Sequence, residues 1–192
     1  MWPKKILSPK WATQTIQFMK RALFSFLTVT IFCVSAFSQI PTAVHLQILK
    51  AEDARRYDKT LEALLKNSNE SIRVRSALAA GRIGSETGLP PLADLLEKDP
   101  SLKVREMAAF AIGEIESIDG ADAIIKALSD SKTLSRAVEA AGKIAAANSK
   151  HPKAAELGTA IIKTLDRSTD VLTTRLALTA VLRARPAGAE AW

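Results

Sequence analysis

The chain has 192 residues, room for one ordinary domain or a short repeat array. Its content is 47% hydrophobic but only 5% aromatic, and alanine and leucine, both strong helix formers, supply much of it. The formal charge of +7 is uneven: Lys4, Lys5, Lys10, Lys20 and Arg21 precede residue 39 with no acid among them, and the rest is nearly neutral. That balance, with no interleaving of basic and aromatic residues after residue 38, argues against a nucleic-acid partner, and the lone cysteine, Cys33, leaves the body without a disulfide framework or cysteine metal site.

Met19-Lys20-Arg21 opens a short basic stretch, Ala22 to Phe37 is an apolar run without charge, and Ala36 and Ser38 put small residues at the −3 and −1 positions of a cut before Gln39. This order predicts a secretory signal peptide over 19–38, cleaved between Ser38 and Gln39, and hence a periplasmic or secreted protein. The run falls short of the roughly 20 residues a membrane helix needs. The alternative is an uncleaved inner-membrane anchor through residues 22–38, so any membrane contact is expected only through the leader. Residues 1–18 form a polar preface foreign to a signal peptide. They read as an upstream mis-start, with translation beginning at Met19, or as a disordered extension. The bulky Phe32 before Cys33 argues against lipidation.

Shifting the sequence by 32 residues aligns two stretches without a gap: Ile72-Arg73 on Val104-Arg105, Ala77 on Ala109, Ala79 on Ala111, Gly81 on Gly113 and Gly88 on Gly120. Each unit has two helix-like halves, A and B. Residues 39–56 are expected to form an N-terminal capping helix and 57–192 the repeats; the stretch Ile48 to Tyr57 would be helix A of the first unit or that cap. Leu61, Leu64 and Leu65 give the first B stripe. Helix A of the next unit runs from about Ser71 to Ile83, Gly84-Ser85 and Gly88 break the chain, and Pro90-Pro91 suit the first turn of a helix B with stripe Leu92, Leu95 and Leu96. Asp99-Pro100 stops it. In the following unit Asp119 is a plausible N-cap before the stripe Ile124, Ala127 and Leu128.

Downstream, Ala140-Ala141-Gly142-Lys143-Ile144 echoes Ala79-Ala80-Gly81-Arg82-Ile83. After a connector at 148–152 that reads as longer than the others, helix B resumes at about Glu156, with Ile161 and Leu165 in its stripe. Leu172 to Arg183 reads as one more helix A, and Pro186-Ala187-Gly188 mirrors the turn around Gly88. Trp192 falls where the next B stripe would begin, so the last repeat is expected to be incomplete. A two-helix unit this short cannot bury its apolar face alone. The pattern therefore predicts an all-α fold, an α-solenoid of stacked helix pairs. Ala79, Ala80, Gly81, Ala108, Ala109 and Ala111 would let A helices approach closely, and the glycines as a class would mark turns.

The aliphatic-Arg pairs, the alanine-rich A helices ending Gly-x-Ile and the glycine before helix B resemble bacterial HEAT repeats of the phycobilisome-lyase-like type, over about residues 57–190. That resemblance implies an ARM-type superhelix in which Arg73 and Arg105 bond a neighbouring turn or acid, so Arg73, Arg105, Gly81, Gly88, Gly113 and Gly120 would be structural. The string from Ile48 to Asp58 and the end Arg183-Ala184-Arg185-Pro186-Ala187-Gly188 also look like the front of exported proteins that carry HEAT repeats ahead of a cyclophilin-type peptidyl-prolyl isomerase. No segment here resembles the catalytic barrel.

Chemistry-bearing patterns are sparse. His45 and His151 are far apart in sequence and form no His-Glu pair, so neither a metal site nor a cofactor is expected. Ser76 and Ser135 sit on expected helices without a neighbouring histidine, and Glu114 and Glu116 diverge on theirs. No catalytic residue is assigned. The expected role is a scaffold for a protein or peptide, with Glu62, Lys66, Asp94, Lys98, Asp122 and Lys126 on the exposed side of the B helices; the same charges could serve solubility alone.

Overall fold

The computed structural model describes residues 39–189. The expected signal peptide, Ser38 of its cleavage site, and Trp192 lie outside the described residues; Gln39 lies in an exposed bend. Among the described residues there are nine α-helices: α1 (Thr42–Asp53), α2 (Lys59–Leu65), α3 (Glu70–Ile83), α4 (Leu89–Lys98), α5 (Leu102–Ile115), α6 (Ala121–Ala127), α7 (Leu134–Ala147), α8 (Pro152–Arg167) and α9 (Val171–Ala184). They pack in order along the chain, in the two-layer manner of an α-solenoid. The odd-numbered helices form the A layer, each stacked on the next, and the even-numbered helices form the B layer beside it.

Local signals explain most boundaries. Asp58 accepts from the backbone N–H groups of Thr60 and Leu61, Ser101 from Val104, and Asp170 from Thr173, each satisfying donors that a helix start leaves without partners. Pro90 and Pro91 sit in the first turn of α4, where a missing N–H costs nothing. The stripes Leu92, Leu95, Leu96 and Ile124, Ala127, Leu128 are buried between the layers, with Leu61, Leu65, Ile161 and Leu165. α3 ends at Gly84 with φ +75, the left-handed conformation that closes a helix; at the corresponding position α5 ends on Glu116 with φ +57.

Several boundaries differ from the sequence expectation. The first helix starts at Thr42 and ends at Asp53, because the chain turns at Arg55 (φ +46); Tyr57 lies outside it, with its ring against Gly88. Asp119 does not cap α6: it sits in a 3-10 turn (Ile118–Gly120) and Gly120 takes the N-cap position. α8 begins at Pro152 rather than near Glu156, since His151 caps it by accepting from the Lys153 N–H at Nδ1 (3.2 Å). Its connector, 148–151, is therefore no longer than 84–88 or 116–120. Gly188 has φ +84, unlike Gly88 at φ −79, so the two turns are not equivalent. Nor are all the glycines turn residues. Gly81 and Gly113 lie inside α3 and α5, where a Cβ would stand 2.7 Å from the Cα of Ala111 and Ala140, so the absence of a side chain lets successive A helices touch through their backbones.

Candidate functional site

The joints between repeats hold the B helices in register. Arg73 on α3 forms a two-pronged ion pair with Asp99, Nε to Oδ2 at 2.7 Å and Nη2 to Oδ1 at 3.0 Å, and its Nη1 donates to the carbonyls of Asn67 (2.8 Å) and Ser68 (3.1 Å). Asp99 is buried in the turn before α5, and its Oδ1 also accepts from the Ser101 N–H. Arg105, one repeat on, donates through Nη1 to the carbonyls of Asp99 (2.7 Å) and Pro100 (3.5 Å). Both arginines thus lock turns. Gly88 faces the Tyr57 ring, and Gly120 is pressed against Ile112, whose Cγ2 would be 2.6 Å from an added Cβ.

At the N-terminal end, Glu52 of α1 is clamped by Arg75 of α3 (Nη1 to Oε1 at 2.8 Å, Nη2 to Oε2 at 2.5 Å), with Arg82 at 3.5 Å. The Arg75 hydrogen bonds outweigh the opposing effect of burial and, with the Arg82 charge, hold the Glu52 carboxyl below its ordinary range. Nearby, burial and the Glu62 charge push the Tyr57 phenol up to about 12, and its buried hydroxyl has no hydrogen-bond partner among the described residues.

The charged side chains of the B layer make a cross-linked surface. Lys66 pairs with Glu62 (3.1 Å) and Lys98 with Asp94 (2.6 Å) along their own helices, whereas Lys126 reaches back to Glu97 (2.5 Å) and Lys153 to Asp122 (2.5 Å). These pairs are largely exposed, so water and salt screen them and they add little to stability. Glu62 is half-buried; the other five of the six expected surface residues are exposed.

Two of those six, Asp94 and Lys126, also line a groove of about 530 Å³ between α4 and α6. Pro90, Ala93 and Leu96 from α4, with Ala123 and Ala127 from α6, give it an apolar lining, and Glu97, Ser129, Asp130 and Thr133 complete it. Small residues at 93 and 123 leave space between facing helices. The chain widens the space further because α6 stops at Ala127 and turns through Ser129 to Thr133, whose hydroxyl donates to the Ala127 carbonyl (3.4 Å). Sequence reading places the charges on this side but misses the groove; the short helix followed by Ser-Asp-Ser-Lys-Thr was the available signal. Lys98, Asp122, Glu62 and Lys66 do not line it.

Among the described residues no three His, Cys, Asp or Glu side chains gather as metal ligands, and no helix is long and apolar enough to cross a membrane. His45 is exposed on α1, and His151 serves as the cap of α8. Residues 57–142 match the family model described as HEAT repeats, a segment that runs from just before α2 into α7. No curated protein matches the chain. Residues 57–142 are thus similar to HEAT repeats, and the helix pairs stacked in two layers, with arginines locking successive turns, are consistent with an α-solenoid of that kind.

Proposed function

We propose that this chain is a non-catalytic, exported scaffold that binds a protein or peptide in the groove between α4 and α6. HEAT repeats are in general protein-binding modules, which gives the class of function; the groove supports the particular site. Its volume suits a few side chains, and its lining mixes apolar side chains with charges of both signs, the composition of a peptide-binding surface rather than of a polyanion groove. Export rests on the basic, apolar and small-residue order of residues 19–39. The strings at 48–58 and 183–188 support a finer version, in which the array presents client chains to a peptidyl-prolyl isomerase domain.

Peptides selected from a random display library on the wild-type chain test the groove. Ala123→Arg fills the space from α6 without touching the joints, and circular dichroism checks its folding. Selected peptides are expected to lose binding to the folded Ala123→Arg chain. Peptides that bind both chains equally would remove the groove from the proposal.

A further inference from the structure

From α3 to α9 successive A helices meet through one recurring glycine contact, and α9 carries no glycine to continue it. A Cβ on Gly81 would stand 2.7 Å from the Cα of Ala111, on Gly113 2.7 Å from that of Ala140, and on Gly142 2.7 Å from that of Ala180. In α5 and α7 the glycine that touches the next helix lies two residues after the alanine that receives the previous one: Ala111 then Gly113, Ala140 then Gly142. In α9 the receiving residue is Ala180, and two residues on stands Leu182, 77% exposed. A leucine where backbones would have to touch prevents a further A helix from stacking on α9 by the same contact.

Leu182 is not alone. Val171, Arg175, Leu178 and Leu182 follow at helical spacing on one face of α9, and the three apolar members are 83%, 39% and 77% exposed. The helix contains no acid. Arg175 and Arg183, with Arg185 at its C-cap, are exposed and make no ion pair within the described residues. We propose that this face docks an amphipathic, acidic helix of a partner protein. Its apolar side covers Val171, Leu178 and Leu182, and its carboxylates meet Arg175 and Arg183. Ridges spaced four residues apart on α9 suit another helix. Arg175 interrupts the apolar stripe, so hydrocarbon would bury an unpaired guanidinium, whereas a carboxylate-bearing helix satisfies it. The proposal is independent of the groove between α4 and α6.

The test titrates the full chain against two fluorescent synthetic helices with one leucine stripe, flanked by glutamates in one and by lysines in the other. The glutamate helix is expected to bind at least about tenfold more tightly than the lysine helix. Leu182→Asp should abolish that binding, and Arg175→Glu with Arg183→Glu should reverse the preference. The changed side chains are all exposed, so an unchanged circular dichroism spectrum is expected, and Ala123→Arg should leave the binding intact. Equal binding of the two helices, or a preference that survives the double charge reversal, would overturn the proposal. So would binding to phosphatidylserine vesicles without binding to either helix, or a concentration-dependent dimer in sedimentation that Leu182→Asp abolishes.

Discussion

Arg73 and Asp99 join two successive repeats through a forked pair, with both carboxylate oxygens engaged by one guanidinium and both side chains largely withdrawn from water. Removing the arginine leaves the carboxylate buried with only the Ser101 N–H, and such an uncompensated charge costs about 3 kcal/mol or more. Arg73→Ala is therefore expected to lower the urea midpoint strongly, and Arg73→Lys to recover little, since an ammonium cannot reproduce the fork. Arg105 bonds only carbonyls, so Arg105→Ala should cost nearer 1 kcal/mol. Equal losses at 73 and 105 would contradict this account.

The close approach of A helices makes a second prediction. An alanine in place of a helical glycine ordinarily gains about 1 kcal/mol. At Gly113 the added carbon would meet the Cα of Ala140 at 2.7 Å and its Cβ at 2.8 Å, and backbone cannot swing aside as a side-chain end can. Gly113→Ala should thus be destabilising by roughly 1–3 kcal/mol, measured by chemical denaturation.

The end of α5 offers a stabilising change. Glu116 holds φ +57, a conformation that costs a residue with a Cβ about 1 kcal/mol, while Gly84 fills the corresponding place one repeat earlier. The bond that Glu116 makes to Asn148 uses its backbone carbonyl (2.8 Å) and survives substitution. Glu116→Gly is expected to raise the melting temperature by a few degrees.

Ser76 is fully buried in α3 with its hydroxyl unpartnered among the described residues, and Ala108 stands at the equivalent place in α5. Ser76→Ala removes a desolvated polar group and favours the helix, so a gain of about 1 kcal/mol is expected from the same denaturation measurement. A loss would show that the hydroxyl has a partner in solution.

Glu52 carries the pH prediction. Its carboxyl is held below its ordinary value in the folded chain, chiefly by Arg75, so its contribution is complete above the ordinary carboxylate range and is lost as pH falls through the lowered value. The stability advantage of wild type over Glu52→Gln should be largest near neutrality and shrink on acidification. A difference independent of pH would assign the effect to packing instead of charge.

The sequence by itself determined the alternation of A and B helices, because a stripe such as Leu92, Leu95, Leu96, the break at Gly84 before it, Pro90 and Pro91 at its start and the stop at Pro100 depend on periodicity and backbone conformation, which are local. The 32-residue shift also exposed the equivalence of Gly81 with Gly113. That shift fails further on, since the glycine rung recurs at Gly142 and the next rung falls on Leu182; only contacts between helices place Leu182 on it. The same limit hid the cap at His151 and the true start of α8, because a histidine before a proline is not by composition a cap. Only tertiary structure decided that Asp94 and Lys126 edge a groove while Lys98 and Asp122 do not, and that Arg73 finds a carboxylate where Arg105 finds carbonyls. Helix periodicity fixes which side chains share a face. The distance between facing helices, set by the smallest residues where they touch, fixes which of those side chains meet.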